Sequence, residues 1–188
     1  MGKEVFDKNR CVCLLTGKPG SGKTILIKRI LSETKLNAGG FYTEEIRVNN
    51  QRQGFKIVTL NGKDGILAHV NISGPYKVGK YGVNLEALEQ IVVPVIRQAI
   101  QKNELIIIDE IGRMELFSSS FKDAVIEAMQ CGKPVLGTIM LKPHPWADGI
   151  KRLKQVNIVL LTPAEWDETV QQILQWLDFW KVRVREKF

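Results

Sequence analysis

Two histidines and three cysteines in 188 residues leave little material for a metal cage or a disulfide framework. An odd, sparse cysteine count does not suit a small secreted scaffold. Cys11 and Cys13 alternate along an apolar run, where a free thiol behaves as a small hydrophobe, and zinc would need more ligands than Cys131 supplies. His69 and His144 are too far apart in sequence to mark a relay or a ligand pair. Long hydrophobic runs are missing too. The longest, such as residues 105–108, are strand-sized, well below the ~18 residues of a membrane span. Residues 1–7 lack the apolar core of a secretory signal. A cytoplasmic protein with no membrane partner is expected.

Repeats, low-complexity stretches and dividing linkers are absent as well, so residues 1–188 are expected to form a single domain, with 1–9 as an N-terminal extension and 182–188 as a basic tail. At 44% hydrophobic and 25% charged residues the composition is that of an ordinary globular chain. A formal net charge of +7 leaves a polyanionic partner such as nucleic acid open. The cations are spread along the chain except in the tail, which a solvated helix end explains equally well. Nothing in the sequence sets the oligomeric state, and a monomer is the default.

What is present is an alternation of strand and helix signals. Residues 10–16 read as a buried strand, followed by a Gly/Pro turn and a helical run over 23–32. From 41 to 70 the pattern becomes hairpin-like, with strand pieces at 41–48, 55–60 and 66–70 separated by Asn49-Asn50 and Asn61-Gly62. Residues 85–102 carry helical apolar spacing, with Pro94 as the expected kink. Strands at 105–109, 134–140 and 156–161 then alternate with helices at 119–129, 147–154 and 164–181. Such alternation predicts an α/β fold whose mostly parallel sheet is flanked by helices, with a β-hairpin-rich insertion around 40–70.

Between the first strand and first helix lies Gly17-Lys18-Pro19-Gly20-Ser21-Gly22-Lys23-Thr24, which matches G-x-x-x-x-G-K-[ST]. Glycines let successive backbone N–H groups point inward, making an anion nest at the positive end of the helix. Lys23 then reaches the β and γ phosphates of a nucleotide, and the Thr24 hydroxyl serves a magnesium ion. The apolar strand Leu105-Ile106-Ile107-Ile108 ends in Asp109 and Glu110, the usual partner of such a loop. Asp109 is the second candidate for holding Mg2+. Glu110 is the candidate to orient or deprotonate a water facing the γ phosphate, the alternative being a solvated strand end. Arg113 reads either as an internal arginine finger or as a surface cation, and Thr138 as a phosphate sensor or a buried, satisfied hydroxyl. Asp109-Glu110-Ile111-Gly112 also satisfies the D-x-x-G of regulatory GTPases, but the guanine-reading N-K-x-D is missing: Asn61-Gly62-Lys63-Asp64 has the wrong order and lies too early.

Longer strings add to these motifs: residues 40–47 (Gly40, Phe41, Tyr42, Thr43, Glu44, Glu45, Ile46, Arg47), 52–55, 78–81 and 109–116, the last reading D-E-I-G-R-M-E-L. Over roughly residues 12–161 the chain resembles the small nucleoside-triphosphatase family first described from thermophiles, which includes the vertebrate cancer-related nucleoside-triphosphatase. The resemblance implies a RecA- or AAA-like P-loop core and slow, Mg2+-dependent hydrolysis of several nucleoside triphosphates, ATP and GTP among them. It also implies broad base tolerance and weak diphosphatase activity. Residues 17–24 and 105–112 (Leu105, Ile106, Ile107, Ile108, Asp109, Glu110, Ile111, Gly112) are the implied nucleotide contacts. Where family members often carry an Asn-Arg-Asp-like string, this chain reads Thr162-Pro163-Ala164-Glu165-Trp166-Asp167, so base contact is open there and Trp166 reads as a stacking residue or as core packing. The 41–70 region, with Arg47, Arg52 and Lys56, sits where related kinases place acceptor-binding or lid elements; a plain hairpin is the simpler reading. A small-molecule kinase and a nucleotide-switched RNA- or protein-binding module are the competing functions. A kinase lid rich in arginine is not found.

Overall fold

In the computed structural model, which describes residues 6–187, nine strands form one sheet in the order β5-β6-β4-β3-β2-β7-β8-β1-β9. In β1 (Val12–Thr16), β7 (Leu105–Ile111) and β8 (Val135–Ile139) nearly every residue is buried. Consecutive strand residues point to opposite faces, so uninterrupted burial means that both faces are covered. β1 pairs in parallel with β8 and β9 (Val156–Leu160), β8 with β7, and β7 with β2 (Ala38–Val48). The helices pack in two pairs: α1 (Lys23–Glu33) with α6 (Trp166–Lys187), and α3 (Val93–Lys102) with α4 (Ser119–Gln130). A short α5 (Pro145–Lys151) precedes β9. Among the described residues no helix is long and apolar enough to cross a membrane.

The hairpin-rich region is not an appendage. β2 pairs through Ala38–Phe41 with β7 in parallel, and from Phe41 to Val48 it pairs antiparallel with β3 (Gln51–Thr59). β4 (Asp64–His69), β6 (Tyr81–Val83) and β5 (Lys77–Val78) continue the same sheet antiparallel. Half of the sheet is thus an antiparallel wing. Its strands are only partly buried, as expected where one face meets solvent. The turn between β2 and β3 is Asn49-Asn50, both at positive φ (49° and 61°), a geometry that asparagine tolerates in two-residue hairpins.

The segment 85–102 is helical throughout but not uniform. A short α2 (Leu85–Ala87) passes through a π-helical turn, Leu88–Val92, into α3. Pro94 sits in the first turn of α3, immediately after the wide turn. With no N–H to give to the preceding turn, proline breaks the regular ladder, and the π turn takes up the mismatch.

The two ends of the chain meet. The Trp176 indole N–H donates to the Arg10 carbonyl (3.0 Å) and Trp180 to that of Lys8 (3.0 Å), while Phe6 packs edge-on against Trp176. Asn157 of β9 exchanges two hydrogen bonds with the backbone of Asp7. The described part of the N-terminal extension is therefore docked; residues 1–5 lie outside the described residues. The basic tail expected at 182–188 continues α6 as helix to Lys187, with the Arg183 guanidinium 4.3 Å from the Phe179 ring. Phe188 lies outside the described residues.

Candidate active site

The loop between β1 and α1 turns on two glycines in the left-handed region, Gly20 (φ 80°) and Gly22 (φ 86°), the latter capping α1. Side chains other than glycine are disfavoured at such angles. The Lys23 ammonium donates to the carbonyls of Gly17 and Lys18, both at 3.2 Å, and so lies back over the loop. Ser21 Oγ is buried without a hydrogen-bond partner among the described residues. Trp166, at the start of α6, lies against this loop: its indole Nε1 is 3.5 Å from the Gly22 carbonyl, and a β-carbon added at Gly22 would come within 3.1 Å of that nitrogen. The indole packs on the loop backbone and does not line the cavity described below.

Asp109 is 1% exposed and fully engaged. The Thr24 hydroxyl donates to its Oδ2 at 2.7 Å and the Thr138 hydroxyl to its Oδ1 at 2.6 Å. Burial pushes its pKa up, against these bonds and the Lys23 charge, which hold it down. The Thr138 hydroxyl is buried and satisfied by the acid, and the residue also lines the cavity described below. The Asp109–Glu110 peptide is cis. The Glu110 carboxyl is likewise pushed up, first by burial and then by the neighbouring Asp109 charge.

These groups face one cavity of about 900 Å3. It is lined by the loop residues Gly17, Lys18, Pro19, Gly20, Gly22, Lys23 and Thr24, and by Asp109, Glu110, Arg113 and Thr138. Arg113 is exposed, and its side chain has no ion-pair partner among the described residues. Two parts of the chain far apart in sequence are thereby brought together. The other expected contacts of β7 do not reach the cavity: Leu105, Ile106, Ile107, Ile108 and Ile111 are all 0% exposed. Their reason for being apolar is the core, because a parallel central strand is covered on both faces. Gly112 is buried, and a β-carbon there would meet Glu115 Oε2 at 2.9 Å and the Glu110 carboxyl at 3.2 Å. Neither His69 nor His144 lines this cavity.

Glu115 was not singled out by the motif logic. It is 4% exposed and accepts the Gly112 backbone N–H at 3.1 Å. Burial, and then the charge of Glu110, push its pKa up to about 8. The available signal was a single charge inside the otherwise apolar run Met114-Glu115-Leu116-Phe117, at the start of a 3-10 turn.

Among the described residues no three His, Cys, Asp or Glu side chains converge to hold a metal by themselves. The Thr24 hydroxyl and Asp109 carboxylate, adjacent and both hard oxygen donors, fit a different use: one or two protein contacts to a Mg2+ that takes its remaining oxygens from phosphate and water.

A central parallel strand order, a glycine loop entering a helix and a buried acid bonded to the loop threonine define a P-loop nucleotide-binding α/β protein. Comparison with known proteins narrows this class. The NTPase family model matches residues 12–174, most of the chain. Nucleoside-triphosphatase THEP1 of Thermotoga sp. strain RQ2 is 47% identical over 166 residues, covering 88% of this chain and 95% of that protein. The mouse cancer-related nucleoside-triphosphatase homolog is 41% identical over 165 residues, covering 79% and 86%. Among solved structures, THEP1 of Aquifex aeolicus superposes with a TM-score of 0.81 at 38% identity, covering 88% of this chain and 98% of that one. The chain belongs to the NTPase family.

Proposed function

We propose that this protein is a Mg2+-dependent nucleoside-triphosphatase of a single domain, cytoplasmic and monomeric, that removes the γ phosphate of ATP, GTP and other triphosphates slowly, with weak action on diphosphates. The observation that carries the reading is the placement of Lys23 and Glu110, from two distant motifs, on the wall of one cavity beside the Thr24–Asp109–Thr138 hydrogen-bond chain. The relatives are named for nucleoside triphosphates as a class, which supports broad base tolerance.

In this reading the loop N–H groups and Ser21 Oγ hold the phosphate chain, and Lys23 leaves the loop carbonyls for the β and γ phosphates. Thr24 and Asp109 hold Mg2+, which when bound supplies charge neutralisation at the phosphate oxygens. Glu110 orients a water and takes its proton as the water oxygen bonds the γ phosphorus. The bond from that phosphorus to the β,γ-bridging oxygen breaks, and its electron pair leaves with the diphosphate. The raised Glu110 pKa makes this carboxylate a stronger base than an exposed one. Arg113, exposed and lining the cavity, meets charge developing on the transferred group in this reading.

Glu110→Gln tests the assignment. Nucleotide affinity should be retained while phosphate release falls by about 100-fold or more, measured by calorimetry and by phosphate assay across ATP, GTP, CTP, UTP and ADP, with and without Mg2+. Undiminished turnover in that variant would remove Glu110 from the mechanism, and metal-independent release would remove the Mg2+ assignment.

A further inference from the structure

The cavity does not end at the phosphate loop and its acids. It continues along the antiparallel wing, where Glu44, Glu45, Arg47, Arg52, Phe55 and Val78 line its far wall. These residues come from β2, β3 and β5, none of which supplies a phosphate-loop or acidic-strand residue.

The chemistry of this wall is specific. The Arg52 guanidinium lies 5.1 Å from the Phe55 ring and 5.8 Å from the Tyr81 ring, and the two rings meet edge to face at 5.3 Å. Arg52 Nε donates to the Tyr81 hydroxyl at 3.0 Å and its Nη1 to Glu45 at 2.7 Å, so the guanidinium is oriented before any ligand arrives. Glu45 is shared with Arg47 (2.6 Å), and Glu44 is shared between Lys28 and Lys56. One carboxylate between two cations leaves a net positive charge in each cluster. Arg113, at the border with the phosphate end, adds another. A half-buried aromatic face beside an oriented guanidinium, in a cluster of two arginines that share one carboxylate, suits a planar ring that carries an anion. A triphosphate alone gives no reason for an aromatic surface beyond its terminal phosphate.

Resting on the reading of the phosphate end given above, we propose that the wing wall of Arg47, Arg52, Phe55 and Val78 is a second ligand site. It takes a nucleoside monophosphate or a similar ring-bearing phosphate, bound together with the triphosphate and facing its γ phosphate. The ring lies against Phe55 and Val78, and the phosphate is held by Arg47 and Arg52.

The test loads the protein with Mg2+ and a non-hydrolysable ATP analogue, then titrates AMP, GMP, CMP and UMP, with adenosine and inorganic phosphate as separate probes, by calorimetry and equilibrium dialysis of labelled AMP. The expected result is a second equivalent of monophosphate bound without release of the analogue, with adenosine and inorganic phosphate each binding more weakly. Arg52→Gln and Phe55→Leu, the latter keeping apolar bulk in the wing, should each weaken the monophosphate about tenfold or more while analogue affinity stays as in the parent. Displacement of the analogue, binding indifferent to both substitutions, or no second equivalent at millimolar concentration overturns the second site. Failure of the analogue itself to bind is a different result, and counts against the phosphate-loop reading on which this one rests.

Discussion

At the scale of single residues the site is a set of carboxylates held under tension by burial. Glu115 carries the clearest consequence. Its pKa moves from an ordinary 4.5 to about 8 in the folded protein, so between those values the folded state keeps a proton that the unfolded chain has released. Stability from this group is then full below its ordinary pKa and declines as pH rises toward 8. Glu115→Gln should flatten that decline and raise the Tm at pH 9 by ~2 °C or more relative to the parent, read by calorimetry at pH 5 and pH 9; parallel declines in both proteins would exclude the assignment. Thr138 permits a second test. Thr138→Val keeps the shape but leaves Asp109 Oδ1 without its donor, and should cost about 1–3 kcal/mol in denaturant unfolding, with Thr138→Ser losing much less. For Glu110, the raised pKa places the ascending limb of the pH–rate profile above the range of an exposed glutamate, and Glu110→Gln should abolish that limb.

At the scale of elements, α6 and the start of the chain act as one clasp. Trp176 is 1% exposed and is held by the Arg10 carbonyl and Phe6. Trp176→Ala should destabilise the protein by ~3–5 kcal/mol, measured by urea unfolding, and should loosen residues 6–11 to protease. None of this was legible in sequence, because a clasp between ends is a long-range contact without local signature; the final apolar stripe was readable only as helix. The central elements were legible for the opposite reason: residues 105–108 and 11–15 are uninterrupted apolar runs that admit few other states. Ala38–Gly40 was missed because two glycines depress strand propensity, although Gly40 fits where a β-carbon would lie 2.0 Å from the Ile107 carbonyl. Asn49-Asn50 was legible as a turn from its own chemistry. That the hairpins join the main sheet was not, since register across a mixed sheet is set by packing and not by periodicity. The phosphate loop and Asp109 could be placed from motif spacing, whereas the wing wall of Arg52, Phe55 and Val78 comes together only through topology.

At the scale of the whole molecule, a net charge of +7 attracts a polyphosphate before contact. Raising ionic strength should lower kcat/KM for Mg·ATP several-fold while leaving kcat nearly constant, and equal losses in both would mean that salt acts on the chemistry. The same molecule also has an unusual mechanical design. β2 is one unbroken strand that begins inside the parallel core and ends in the wing, so no loop separates the two halves. A lid swings on a hinge, and this wing has none. Any approach of the wing to a bound nucleotide has to come from bending or twisting of the strand itself. The place for it is Gly40 and Phe41, where the strand passes from β7 to β3 and Gly40 sits at positive φ (116°), a backbone angle that side chains disfavour.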